Sequence, residues 1–140
     1  MKRYLIIIAI FCSLMAISGA AWCVDNGDGT VTLNGRVWLK DGACLGGLDY
    51  NSAVSRVATL EKGQCGLTGK SNAGAWRLPT VNELQGIWGF RDEFSNISAS
   101  YYWSSTPSQS FPDCVWVVKM DNDFVWIVSK ATAQHTLAVR

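Results

Sequence analysis

Histidine is all but missing from this chain of 140 residues: His135 is the only one. That removes the usual neutral-imidazole metal ligands and most general-base pairs at once. A surplus of one charge is missing too. Twelve Lys/Arg stand against eleven Asp/Glu, so no basic excess advertises nucleic acid or another anionic polymer. No C-x-x-C knuckle occurs, and successive cysteines after Cys12 are about 20 residues apart or more, so a zinc site has no sequence support. Ser104 and Ser105 are not in a nucleophile-elbow context. No Asp/Glu pair has a spacing that speaks for general acid and base. Repeats and long linkers are absent as well. The expectation is a protein that is not an enzyme, with no nucleic-acid partner and no cofactor.

What is present begins with an export signal. Lys2 and Arg3 precede an apolar run from Leu5 to Ile17, and Ser18-Gly19-Ala20-Ala21 offers small residues for cleavage. Residues 1–21 read as a signal peptide and 22–140 as a single domain. The apolar run is short for a membrane span, so no span is expected after cleavage. Trp22 just before Cys23 argues against a lipid-attachment signal. Without Lys2 and Arg3 the balance is ten Lys/Arg to eleven Asp/Glu. The destination is exported: periplasmic, cell-surface or secreted.

Cysteine usage agrees with export. Cys12 leaves with the signal, and Cys23, Cys44, Cys65 and Cys114 remain. An even number in an oxidising compartment reads as two disulfides, for which three connectivities exist. Cys44 and Cys65 lie in glycine-rich loops on either side of a helix expected over about Ser52–Lys62. A bridge between them would pin both loops, leaving Cys23 to pair with Cys114.

The order of elements is that of an α+β domain. Asn34-Gly35 between the alternating runs Val31-Thr32-Leu33 and Arg36-Val37-Trp38-Leu39-Lys40 predicts a hairpin with a type I′ turn. The first helix has Asn51 or Asp49 as cap, with Ala53, Val54, Val57 and Leu60 on one face and Gly63 as stop. A second helix over about Val81–Phe90 carries Leu84, Ile87 and Trp88. The β-branched runs Cys114–Met120 and Phe124–Val128 flank Asp121-Asn122-Asp123 and predict a second hairpin. Antiparallel hairpins with two short helices set to one side and long loops follow.

Ala75-Trp76-Arg77-Leu78-Pro79-Thr80-Val81-Asn82-Glu83-Leu84 is the densest stretch. Thr80 and Glu83 have capping-box spacing, so a helix should start at Val81. Pro79 makes Leu78 extended. Arg77 and Glu83 therefore meet at a strand-to-helix corner, read as a buried clasp. If Arg77 is buried there, Arg77→Ala should cost ~3–5 kcal/mol.

Two acidic turns invite a calcium reading. Asp25, Asn26 and Asp28 resemble half of a calcium loop, but Val31-Thr32-Leu33 follows with no late acid. The turn reading comes first, with Asp25 and Asp28 kept as the calcium candidates. Asp121, Asn122 and Asp123 read as a hairpin tip that is also a candidate ligand site. Seven tryptophans are more than one small core readily holds. Exposed aromatics stack on sugars or grip protein partners; core is the first reading for any single tryptophan, and Trp103 is the candidate ligand residue, near a loop-rich face. Trp116 and Trp126 are placed on facing strands.

Asp25–Thr32, Val37-Trp38-Leu39-Lys40-Asp41, Cys65-Gly66-Leu67-Thr68, the Trp76–Leu84 run and Tyr102-Trp103-Ser104-Ser105-Thr106 together resemble the Lcl C-terminal domain family of exported bacterial proteins. The resemblance spans about Asp25–Arg140. It implies a C-type-lectin-like module, loop-rich and pinned by disulfides. Its named member is the tip of a collagen-like adhesin that binds sulfated glycosaminoglycans as a trimer. It implies no catalytic residues. This sequence holds neither a collagen-like stalk nor a basic surplus. The functional expectation is an adhesin or lectin-like binding module for a glycan or surface polymer. An envelope component that binds other proteins is the alternative, and a cryptic hydrolase stands behind it. Oligomeric state stays open, with a trimer the form the resemblance implies.

Overall fold

The computed structural model describes residues 22–140; the expected signal peptide, 1–21, lies outside the described residues. Two sheets carry the architecture. The first joins β1 (Cys23–Asp25), β2 (Thr30–Leu33) and β3 (Arg36–Leu39) in that order. The second has the order β4-β8-β5-β6-β7, from β4 (Gly47–Leu48), β5 (Tyr101–Pro107), β6 (Cys114–Lys119), β7 (Val125–Ser129) and β8 (Gln134–His135). All its ladders are antiparallel except a short parallel contact between Tyr102 and His135. Two helices, α1 (Tyr50–Ala58) and α2 (Val81–Ile87), lie between β4 and β5 in sequence. The α+β class and the antiparallel hairpins are as the sequence implies.

The first hairpin follows its turn chemistry. Asn34 and Gly35 have φ of 52° and 72°, the two positive values that a type I′ turn needs. Asp49 caps α1 by accepting from the Ser52 N–H at 2.8 Å, and that bond holds its carboxyl below the usual range. The helix is shorter than its apolar pattern suggests and ends at Ala58. Ala53 and Val57, four apart, form its buried stripe, whereas Val54 is exposed because the next position lies about 100° around the axis. Leu60 is buried beyond the helix end. For α2, Thr80 Oγ1 accepts from the Glu83 N–H and Glu83 Oε1 accepts from the Thr80 N–H, a complete capping box. The α-helix stops at Ile87, and a 3₁₀ segment carries Trp88–Glu93.

β5 and β6 contribute buried residues to both faces, which fits the β-branched run of β6. On one face Trp103, Val115 and Val117 pack with Ala53, Val57, Leu60 and Trp76. On the other Tyr102, Val118 and Met120 pack with Trp38, Leu84, Ile87 and Leu137. The C-terminal segment ties the sheets together: Val139 exchanges two backbone hydrogen bonds with Arg77, and Arg140 two with Val37.

The disulfide expectations divide. Cys44 and Cys65 are bonded, with Cα atoms 5.6 Å apart. Cys23 and Cys114 are free thiols, not a pair. Cys23 packs on the cluster that holds Val118 and Met120, while Cys114 starts the same strand at its far end. Four residues of strand, about 13 Å at ~3.3 Å each, separate that end from Val118.

Candidate functional site

Strand parity and strand order together create one uncovered aromatic surface. The cross-strand row Trp103–Val117–Trp126 and the pair Tyr101–Lys119 share a face of the larger sheet. Lys119 N–H donates to Phe124 C=O, which brings Phe124 into the Tyr101–Lys119 row. Over the β5 end, Tyr50 at the start of α1 sets its ring edge-on to Trp103, centroids 5.5 Å apart. Among the described residues nothing comparable covers Trp126. Trp126 is 55% exposed and Phe124 47%. Their rings lie near-parallel, 5.9 Å apart at 19°, as same-face neighbours two residues apart on a strand should.

Charges rim this surface. Lys119 Nζ stands 6.0 Å from the Tyr101 ring centre and 3.2 Å from Asp121 Oδ2. Lys130 Nζ stands 5.5 Å from the ring centre of Tyr50, whose hydroxyl is pushed up by burial. Asp121 also lines a cleft of about 390 Å³ with Arg91, Asp92, Asn96 and Ser98. Flat apolar rings, the Lys119 ammonium and the Asp121 carboxylate thus sit around the hairpin tip, with the Lys130 ammonium at the far end of β7.

The sequence pointed to Trp103, and that is corrected. Its ring is fully buried and its indole N–H donates to Leu48 C=O at 2.7 Å. Central position in the sheet, with Tyr50 above it, seals the ring. Trp116 and Trp126 do lie on facing strands, but on opposite faces: Trp116 pairs with Ile127, and Val117 with Trp126. This register sets Trp126 on the face of Trp103, and a slip of one residue would flip every side chain. Sequence reasoning missed Phe124 and Trp126 as members of this exposed surface. Their common parity just after an acidic turn was the available signal.

Asp121, Asn122 and Asp123 do sit at the hairpin tip. Asn122 Oδ1 accepts from the Phe124 N–H at 3.1 Å, and Asp123 turns the chain with φ 61°. In the other acidic turn the carboxylates are engaged locally. Asp25 pairs with Lys40 and accepts from Gly27 N–H, which lowers its carboxyl. Asp28 accepts from Thr30 N–H at 3.1 Å. Among the described residues no group of three His, Cys, Asp or Glu is placed to hold a metal ion.

The corner at Trp76-Arg77-Leu78-Pro79 is a structural element. Arg77 bonds both oxygens of Glu83, at 2.7 and 2.9 Å, and Arg36 adds a contact of 3.3 Å. Arg77 together with the cap hydrogen bonds pulls the Glu83 carboxyl down to about 2. The clasp is not a buried one, however. The Arg77 side chain is 44% exposed, against 17% for Glu83, because a long side chain at a surface corner keeps its head in water. The ~3–5 kcal/mol of an orphaned buried charge therefore does not apply to Arg77→Ala. Trp76 and Leu78 are the buried members, and the Arg140 guanidinium lies 5.1 Å from the Trp76 ring centre.

The family model for the Lcl C-terminal domain matches residues 30–140. This chain belongs to the Lcl C-terminal domain family. The match takes in every strand of the larger sheet, both helices and the aromatic surface. It leaves β1 and Asp25–Gly29 outside. No curated protein matches this Lcl C-terminal domain chain.

Proposed function

We propose that this protein is an exported, non-catalytic binding module of adhesin or lectin-like type, and that its bare aromatic face takes a glycan or surface polymer. One observation carries the reading: the near-parallel, exposed pair Phe124–Trp126. Soluble domains seldom leave two large rings together in water without a use. The C–H faces of a sugar ring stack on such rings, and its hydroxyls need donors and acceptors at the rim. Lys119, Asp121 and Asn122 supply those within the same hairpin. The larger sheet with α1 on one face, α2 on the other, a C-terminal segment tied to β3 and a disulfide-pinned loop pair supports the finer description of a C-type-lectin-like fold. Calcium enters this reading only at the Asp121–Asp123 turn, as an added ligand for hydroxyls.

The test is an array of sulfated, acidic and neutral glycans, probed with calcium and with chelator, using the wild type and Trp126→Ala. Saturable binding that Trp126→Ala abolishes is the expected result. A blank array, or binding that Trp126→Ala leaves intact, sinks the proposal. The reading as an envelope component that binds other proteins is favoured by Phe111, 56% exposed on the loop between β5 and β6. Co-purification with a defined partner that Phe111→Ala disrupts is its signature.

A further inference from the structure

Four sheet edges exist among the described residues, and three of them are closed or short. The outer side of β3 is hydrogen-bonded by the C-terminal segment, through Val37 with Arg140 and Leu39 with Ala138. β1 has three residues and β4 two. β7 is different: five residues, Val125-Trp126-Ile127-Val128-Ser129, with no charge, proline or bulge. Those are the devices by which natural edges avoid pairing, and β7 has none of them.

The groups that this edge offers can be assigned. Lys119 N–H bonds Phe124 C=O, and Lys130 N–H bonds Asp113 C=O. In an antiparallel ladder, hydrogen-bonded pairs alternate, so Phe124, Trp126, Val128 and Lys130 point their backbone groups at β6. Val125, Ile127 and Ser129 point theirs outward. Ser129 C=O is already taken by Thr132, through its N–H at 3.0 Å and its hydroxyl at 2.7 Å. Both groups of Val125 and of Ile127 face outward, with the Ser129 N–H beside them.

We infer that β7 pairs antiparallel with β7 of a second copy of this chain, on a twofold axis through Trp126. This inference rests on the reading of the aromatic face as a binding site. Three observations select a second copy in this register. With Trp126 on the axis, Val125 of each copy meets Ile127 of the other, and all four outward donors and all four outward acceptors of those residues are used. An acidic turn precedes β7 and Lys130 follows it; antiparallel pairing sets Lys130 of each copy against the Asp121–Asp123 turn of the other. A twofold axis normal to the sheet also keeps each face on its own side. The two Trp126 residues then form a non-hydrogen-bonded pair with Cα atoms ~4.5 Å apart. Phe124, Trp126 and their symmetry mates become one strip of four rings, so the second copy completes the platform and doubles its length for an extended ligand.

Sedimentation of the full chain, expressed with its own N-terminal segment and recovered after export, tests this. The expected result is a mass that rises to about twice the monomer with concentration, as an isologous dimer requires. Trp126→Glu, which puts like charges opposite each other, should weaken dimerisation at least ~10-fold while the melting temperature stays. Ile127→Pro removes one outward N–H at an edge position that tolerates proline. It should give a monomer that still binds sugar, with a weaker signal on densely coated surfaces. Trp126→Cys in a Cys23→Ser, Cys114→Ser background should oxidise to a covalent dimer, since the expected Cα separation fits a disulfide. A monomer at all concentrations overturns the inference, as does a dimer that survives Trp126→Glu or fails to cross-link through Trp126→Cys. A monomer that takes up an extended strand of another protein overturns it too. A dimer with a blank glycan array defeats only the glycan reading, and a monomer that binds sugar defeats only the pairing.

Discussion

Trp103 and Trp126 occupy the two ends of one cross-strand row, both paired to Val117 and both on the same face of the same sheet. One is fully buried and the other is 55% exposed. Their residue type and parity are the same, so neither explains the difference. Strand order does. β5 lies inside the sheet with β8 and β6 on its sides, and Tyr50 at the start of α1 roofs its tryptophan. β7 is the outer strand, and α1 approaches only its C-terminal end, where Tyr50 N–H donates to Lys130 C=O. The covered half of the sheet carries core packing, and the bare half keeps Trp126 and Phe124 in solvent.

The sharpest way to break that contrast is to truncate both rings. Trp103→Ala should destabilise the fold by ~3–5 kcal/mol, from lost burial plus the cavity left behind, read as a shift in the urea midpoint. An unaltered midpoint would mean that the covered half is not the core. The loop pair beside that half comes next. Cys44→Ser with Cys65→Ser opens a link over 21 residues of chain and should cost ~3 kcal/mol. A melt unchanged by reduction of the wild type would refute this.

The corner at Glu83 sharpens the comparison by pH. Its carboxyl falls from an ordinary 4.5 to about 2 in the folded state. A lowered folded value gives stability that is fully present above the unfolded value and lost as pH falls from about 4.5 towards 2. Because the Arg77 end is 44% exposed, solvent screening discounts that contribution to ~1 kcal/mol. Melting temperatures between pH 6 and 2.5 should decline in the wild type and decline less in Glu83→Gln; parallel curves would contradict the assignment. The smallest effect belongs to the bare half. Trp126→Ala should leave stability within ~0.5 kcal/mol, as exposed substitutions do, yet abolish glycan binding. A large loss of stability would show that the ring is part of the core after all.

Much of this was legible in one sequence because it rests on short-range chemistry. Asn34-Gly35 dictates its turn, Thr80 and Glu83 their cap, and Asp121–Asp123 a hairpin tip, each within four residues. The Arg77–Glu83 bond follows from the corner that Pro79 and the cap impose. The Cys44–Cys65 bridge follows from two loops brought together by one helix. The aromatic surface was not legible in the same way. Seven tryptophans announce an excess over what the core takes, but nothing local says which of them the core takes.

The sequence by itself determined the α+β order, the turns, the cap of α2, the bonded cysteine pair and the family motifs. All of these depend on neighbours in the chain or on loops across one helix. Tertiary structure alone decided that β7 is an edge, that its register shifts Trp126 into the row of Trp103, and that Cys23 and Cys114 stay apart. Burial and pairing at those positions are set by segments dozens of residues away, and no local preference encodes which strand is left uncovered.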